Sequence, residues 1–223
     1  MALSGPRLEP RRGPATHLVV LCHGYGADGK DLIELAPHLQ KALPGGAFVA
    51  PNAPQRCAGA GYQWFPISRI DPHEMHKGVA GAAGLLEAFL QAELARLALT
   101  SDRLALVGFS QGTMMALHVG LRGPIRPAAI VGFSGLLTGA TPFEDKLPPV
   151  LLTHGEEDTV IPPEALFLSA GALGAGGVRV QWHLSRGLAH GIDEASLALA
   201  GGFLALAFGG RLASIGEACC VLR

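Results

Sequence analysis

The sequence predicts an α/β fold, a mainly parallel central sheet with helices on both faces. Three observations lead there. Apolar runs of strand length recur at 16–22, 47–51, 103–108, 128–133, 150–154 and 178–184. Longer stretches with helical spacing of apolar residues lie between most of them. The strand-length runs are continuous rather than alternating in polarity, as strands covered on both sides require. Alternation of the two element types along the whole chain needs crossover connections, and therefore parallel neighbours.

Each element has its own justification. Residues 16–22 (THLVVLC) are rich in β-branched and apolar side chains and read as the first buried strand. The segment 31–43 follows as a helix, with Leu32, Leu35, Ala36 and Leu39 as its apolar positions. A second short strand spans 47–51. The stretch 52–76 is rich in Gly and Pro and carries Trp64 and Phe65; irregular segments of that length are usually functional or mobile. Residues 77–99 have the pattern of a long amphipathic helix. Strand 103–108 runs almost directly into helix 111–121. Strands 128–133 and 150–154 follow, then helix 162–173 with prolines at its start. Strand 178–184 and helix 193–208 close the series, with Asp193 as N-cap or first-turn acid. Ligands of such sheets bind beyond the carboxyl ends of the strands, so the loops there are where chemistry belongs.

The 223 residues suffice for one domain with a real core and are short for two. An apolar fraction of 49% against 16% charged residues excludes a disordered chain. The net charge of -1 offers no electrostatic footprint for nucleic acid or an anionic membrane. Of the four cysteines, Cys22 falls in a strand-like run and Cys219 and Cys220 are adjacent, so no disulfide framework is expected. With no apolar signal segment near the start, that composition points to a reducing, cytoplasmic compartment. No run is apolar for long enough to span a bilayer, so no integral membrane segment is expected. Residues 1–15 read as a solvated arm, despite the transit-peptide hint of Arg7, Arg11 and Arg12, 16–208 as the domain and 209–223 as a tail. Cys220-Val221-Leu222-Arg223 has the outline of a prenylation box, but its terminal Arg fits poorly.

Gly108-Phe109-Ser110-Gln111-Gly112 is a G-x-S-x-G pentapeptide between a predicted strand and a predicted helix. An ordinary Gly-rich turn shares the pattern; the strand before and helix after favour a nucleophile elbow. A sharp strand-to-helix turn exposes the Ser110 hydroxyl, and small neighbours let strand and helix approach. A serine hydroxyl needs a base. Of nine histidines, His190 alone follows both the serine and a candidate acid at a last-strand loop. That acid is Asp158, after strand 150–154, with Glu156 and Glu157 as close competitors and Asp193 as a poorer one. The order Ser, acid, His suits this chemistry.

The glycine-rich turn at 23–29 can offer a backbone N–H to an oxyanion, so the N–H groups of Tyr25 and Gln111 are the candidate donors. His23 reads as a brace of that turn rather than as a second base. His73 and His76 have no third ligand nearby and read as a helix start, so no metal is expected. Trp64, Phe65, Leu136, Val160 and Ile161, with Ile67 and Leu137, are candidates for an acyl pocket, or simply core caps.

Together these motifs resemble the phospholipase/carboxylesterase family of α/β-hydrolases, which includes acyl-protein thioesterases. The resemblance rests on CHGYGADG (22–29), PNAP (51–54), WF (64–65), GFSQG (108–112), FSG (133–135), HGEEDTVIP (154–162) and AHGI (189–192), in family order over about residues 16–208. It implies an α/β-hydrolase fold without a large cap domain, and the triad Ser110, Asp158 and His190. It also implies oxyanion donors at Tyr25 and Gln111, no cofactor, and a small ester or thioester substrate. Substrates of the family are short to medium acyl esters, lysophospholipids or S-acylated proteins, and some relatives are homodimers. Tyr25 stands where Leu is usual, Thr113 where a further glycine is common, and Cys22 where Leu is frequent. Dienelactone-type hydrolases, which usually carry Cys at the position of Ser110, and peptidases are rival readings. So is a non-catalytic relative that binds a small ligand, although such a chain should lack a triad member.

Overall fold

Six of the seven strands in the main sheet run parallel, and their order explains where a ligand can reach them. A computed structural model describes residues 2–67, 71–139, 143 and 146–214. The strands are β1 (Arg7–Leu8), β2 (His17–Cys22), β3 (Gly46–Val49), β6 (Leu104–Phe109), β7 (Ala129–Phe133), β8 (Val150–Gly155) and β9 (Val180–Ser185). A separate hairpin pairs β4 (Gln55–Arg56) with β5 (Tyr62–Gln63). The order across the main sheet is β1-β3-β2-β6-β7-β8-β9, and only β1 is antiparallel to its neighbour. The chain passes from β2 to β3 on one side, then crosses back to β6 on the other. The switch point lies between β2 and β6, the place where sheets of this class bind their ligands.

Helices α1 (Gly29–Ile33), α2 (Ala36–Ala42) and α6 (Glu194–Phe208) cover one face; α3 (Pro72–Leu97), α4 (Gln111–Arg122) and α5 (Glu164–Ala175) cover the other. Strand period two explains the continuous apolar runs. Leu18, Val20 and Cys22 enter one core cluster, and Val19 and Leu21 the other. Leu104 and Leu106 divide from Ala105 and Val107 in the same way. Burial pushes the Cys22 thiol up to about 12, so it is an inert core group.

Several elements differ from the sequence expectation. The helix expected over 31–43 is two helices that part at Glu34 and Leu35, with proline near the start of the second. Asp28 caps the first through a capping box with Asp31. The long helix begins five residues early, at Pro72, because Asp71 accepts from the N–H groups of His73 and Glu74. The solvated arm instead supplies β1, which covers the β3 edge. Arg7 pairs with Glu93 of α3, which also binds Arg96 at 2.9 Å. Burial works against the Glu93 charge, but the bonds from Arg7 and Arg96 outweigh it and hold the carboxyl below its usual range. Among the described residues no helix is long and apolar enough to cross a membrane. Cys219 and Cys220 lie outside the described residues.

Candidate active site

Ser110 sits between β6 and α4 with φ 54° and ψ -116°, a conformation that costs a non-glycine residue about 1–3 kcal/mol. The surroundings hold it there. Its N–H donates to Phe133 O at 2.9 Å, and its carbonyl accepts from Thr113 N–H at 3.0 Å. A Cβ on Gly112 would fall 1.8 Å from Cys22 O, and one on Gly108 would fall 2.3 Å from Gly112 O. Only glycine permits such approach, so the elbow can press against the end of β2. Thr113 fills space left by Gly132 and Gly135, where an added Cβ would meet its side chain at 2.4 Å. Its hydroxyl also lies 2.8 Å from Gly108 O and 2.9 Å from Phe133 O. The threonine at a customary glycine position is thus matched by glycines on the neighbouring strand and its loop.

Asp158 lies buried in the loop after β8. Its Oδ1 accepts from Val160 N–H and Ile161 N–H, both at 2.9 Å. Its Oδ2 accepts from His190 Nδ1 at 2.7 Å. Of the competing acids, Glu156 accepts from Gly187 N–H, and Asp193 caps α6 by accepting from Ser196 N–H. The 188–190 loop reaches Asp158 because Gly155 has no side chain; a Cβ there would lie 2.2 Å from Ala189 O. The His190 ring lies tilted on Phe109, with centroids 4.9 Å apart. Ser110 and His190 are not joined by a hydrogen bond in this conformation; such bonds commonly close only in the reacting complex.

Two residues to which sequence reasoning gave no role also hold this region. His154 is buried, and its Nε2 lies 2.8 Å from Ile161 O and 3.2 Å from Asp158 Oδ2. Ser134 has φ 45°; its N–H donates to Thr153 O at 2.8 Å and its hydroxyl to Gly191 O at 3.0 Å. Residues 133 and 134 therefore tie together the segments that carry Ser110, Asp158 and His190. The motif pieces FSG and HG contain both residues and were the available signals.

The turn after β2 lies against the elbow: a Cβ on Gly24 would meet Ser110 Cβ at 3.3 Å. Gly24 O accepts from Ala27 N–H, and Gly26 has the positive φ of 77° that the turn needs. His23 is the brace that the sequence suggests: its Nδ1 bonds Gly24 O at 2.7 Å and its Nε2 accepts from Ala53 N–H at 2.9 Å. Burial lowers the His23 pKa, a bond to Gly24 only partly offsetting it, as suits a neutral ring. Among the proposed pocket residues, Trp64, Phe65 and Ile161 are buried, Leu136 is half-buried and Val160 is exposed. Tyr25 is also half exposed. His73 and His76 lie in the first turns of α3, and His76 packs on His118.

The family model for phospholipases and carboxylesterases matches residues 3–208. The chain belongs to the phospholipase/carboxylesterase family. It is an α/β-hydrolase by fold and a hydrolase by kinship. Acyl-protein thioesterase 1 of Schizosaccharomyces pombe is 33% identical over 163 residues, 66% of this chain and 70% of that protein. Acyl-protein thioesterase 1 of Gibberella zeae is 28% identical over 218 residues, covering 84% of this chain and 91% of that one. The crystal structure of esterase PE8 matches with a TM-score of 0.86 and 42% identity, over 92% of this chain and 98% of that one. This phospholipase/carboxylesterase member carries no inserted cap between its strands among the described residues.

Proposed function

We propose that this chain hydrolyses carboxylic esters and acyl thioesters through an acyl-enzyme on Ser110. The bond between Asp158 Oδ2 and His190 Nδ1 carries the reading. With its Nδ1–H donating to Asp158 Oδ2, the neutral imidazole keeps that proton and leaves Nε2 free as a base. His190 takes the Ser110 proton as the hydroxyl oxygen attacks the acyl carbonyl. The resulting oxyanion accepts from the N–H groups of Tyr25 and Gln111. Gln111 is the first residue of α4 and has no intrahelical acceptor for its N–H. His190 then protonates the leaving alkoxide or thiolate, and water repeats the sequence on the acyl-enzyme. No cofactor takes part in this scheme.

Val160 is exposed and its backbone N–H binds Asp158, which favours it as a contact for the acyl chain. The names of the thioesterase relatives favour S-acyl substrates, and the name of PE8 favours esters. The test is hydrolysis of p-nitrophenyl esters from acetyl to palmitoyl, with an S-acyl thiol in parallel. Ser110→Ala should fold normally and lose nearly all turnover of both. Wild-type rates in that variant would defeat the proposal, and a folded wild type inert to every substrate would favour a ligand-binding role.

A further inference from the structure

Two residues expected to line an acyl pocket occupy a different place. Trp64 is 1% exposed, and the ring of Phe65 packs where a Cβ on Gly78 of α3 would stand. Their backbone is instead engaged by the start of α4 and the indole nitrogen by the turn after β2, the two segments that meet at Ser110.

On the elbow side, the Gln111 side chain clasps the segment with both amide atoms. Its Oε1 accepts from Trp64 N–H at 2.8 Å, and its Nε2 donates to Phe65 O at 2.8 Å. On the other side, Trp64 Nε1 donates to His23 O at 2.9 Å. The His23 ring bonds Gly24 O at 2.7 Å, and Ala53 N–H occupies its other nitrogen. Gly24 O and the Tyr25 N–H belong to one planar peptide unit, so fixing the carbonyl aims the N–H. Every bond in this chain is buried, where a lost partner leaves a polar group unsatisfied and costly.

We infer that Trp64 is a positioning residue that locks the two oxyanion donors, Tyr25 N–H and Gln111 N–H, at a fixed separation. The inference rests on the proposed hydrolytic role of Ser110. Trp64 touches no reacting atom. It joins a helix start to a strand end that are otherwise separate in sequence, so the donors need not rearrange when charge develops on the substrate oxygen.

The test removes the indole N–H and leaves the ring. One variant is Trp64→Phe; the second replaces Trp64 by benzothienylalanine, which keeps the shape and lacks the donor. Each is assayed beside wild type and Ser110→Ala on one p-nitrophenyl ester. Binding of an alkyl boronic acid, which mimics the tetrahedral oxyanion, is measured in parallel. Both variants should lose about 10- to 100-fold in kcat, below the cost of deleting an oxyanion donor outright, with KM within about twofold. Boronate affinity should fall by a similar factor, and the pH midpoint of kcat should stay in place. A folded benzothienylalanine variant with wild-type kcat overturns the inference, as does a loss confined to KM, which marks an acyl-contact residue. If Ser110→Ala keeps full activity, it is the hydrolytic proposal itself that fails.

Discussion

At the residue scale, Asp158 is constrained in a way that predicts the outcome of its mildest substitution. Val160 N–H and Ile161 N–H both donate to Oδ1, while His190 and His154 both approach Oδ2. In Asp158→Asn the amide oxygen must take the Oδ1 position, which turns the NH₂ group toward His190. Nδ1 must then accept, the proton moves to Nε2, and the ring is no longer a base. Turnover should fall by about 10⁴ with the fold retained, measured as kcat beside a thermal melt. Ser134→Ala should be milder. It removes one hydrogen bond to Gly191 O, which at about 1 kcal/mol amounts to roughly fivefold in kcat, with KM little changed. Unaltered kcat in Ser134→Ala would show that the loop holds His190 without this tether.

At the element scale, the sequence was legible where periodicity is strong and illegible where a few local bonds decide. Each parallel strand was placed within about two residues because its run is continuous and punctuated by loops. The break between α1 and α2 was not, since Leu35 and Ala36 continue the helical spacing across it. The two-residue strand β1 has no periodicity to read; pairing with β3 and the Arg7–Glu93 contact define it. Helix α3 ends with exposed Ala98 in the left-handed region, φ 52° and ψ 40°. Glycine suits that position better, so Ala98→Gly should stabilise by about 1 kcal/mol and raise Tm by roughly 2–4 °C. A lowered Tm would mean that the alanine methyl contributes more than its backbone strain costs. Gly112→Ala is the contrary case. Its methyl would collide with Cys22 O, a backbone atom, so the elbow must shift and esterase activity should be lost along with stability.

At the scale of the whole molecule, three histidines contribute to the acid side of stability. Burial lowers the pKa of His17, His23 and His118, with help from Arg103 at His17 and from Arg122 and His76 at His118, which falls to about 4. The unfolded chain binds these protons near pH 6.5 and the folded chain only at lower pH. Their contribution to stability is therefore fully present above about pH 6.5 and drains away as the pH falls, for His118 toward 4. Urea midpoints across that range should decline for wild type and decline less steeply for His118→Gln. Of the candidate site, the loops after β2, β6, β8 and β9 were readable because the proposed chemistry demands certain residue types at strand ends. The burial of Trp64 and the part played by Ser134 were not, because both depend on which segments the fold brings face to face.

Of the chain's two tryptophans, Trp64 is buried with its indole N–H bonded to His23 O, while Trp182 on edge strand β9 is 51% exposed beside Phe167. The protein thus holds two intrinsic fluorophores with opposite access to solvent. Acrylamide or iodide should silence Trp182 first, and the emission that survives comes from Trp64, held between the turn after β2 and the start of α4. That residual signal is an optical probe of the candidate active site, free of any attached label. On the proposed acyl-enzyme route, a change in that signal should report acylation of Ser110 in real time, even with substrates whose products absorb no light.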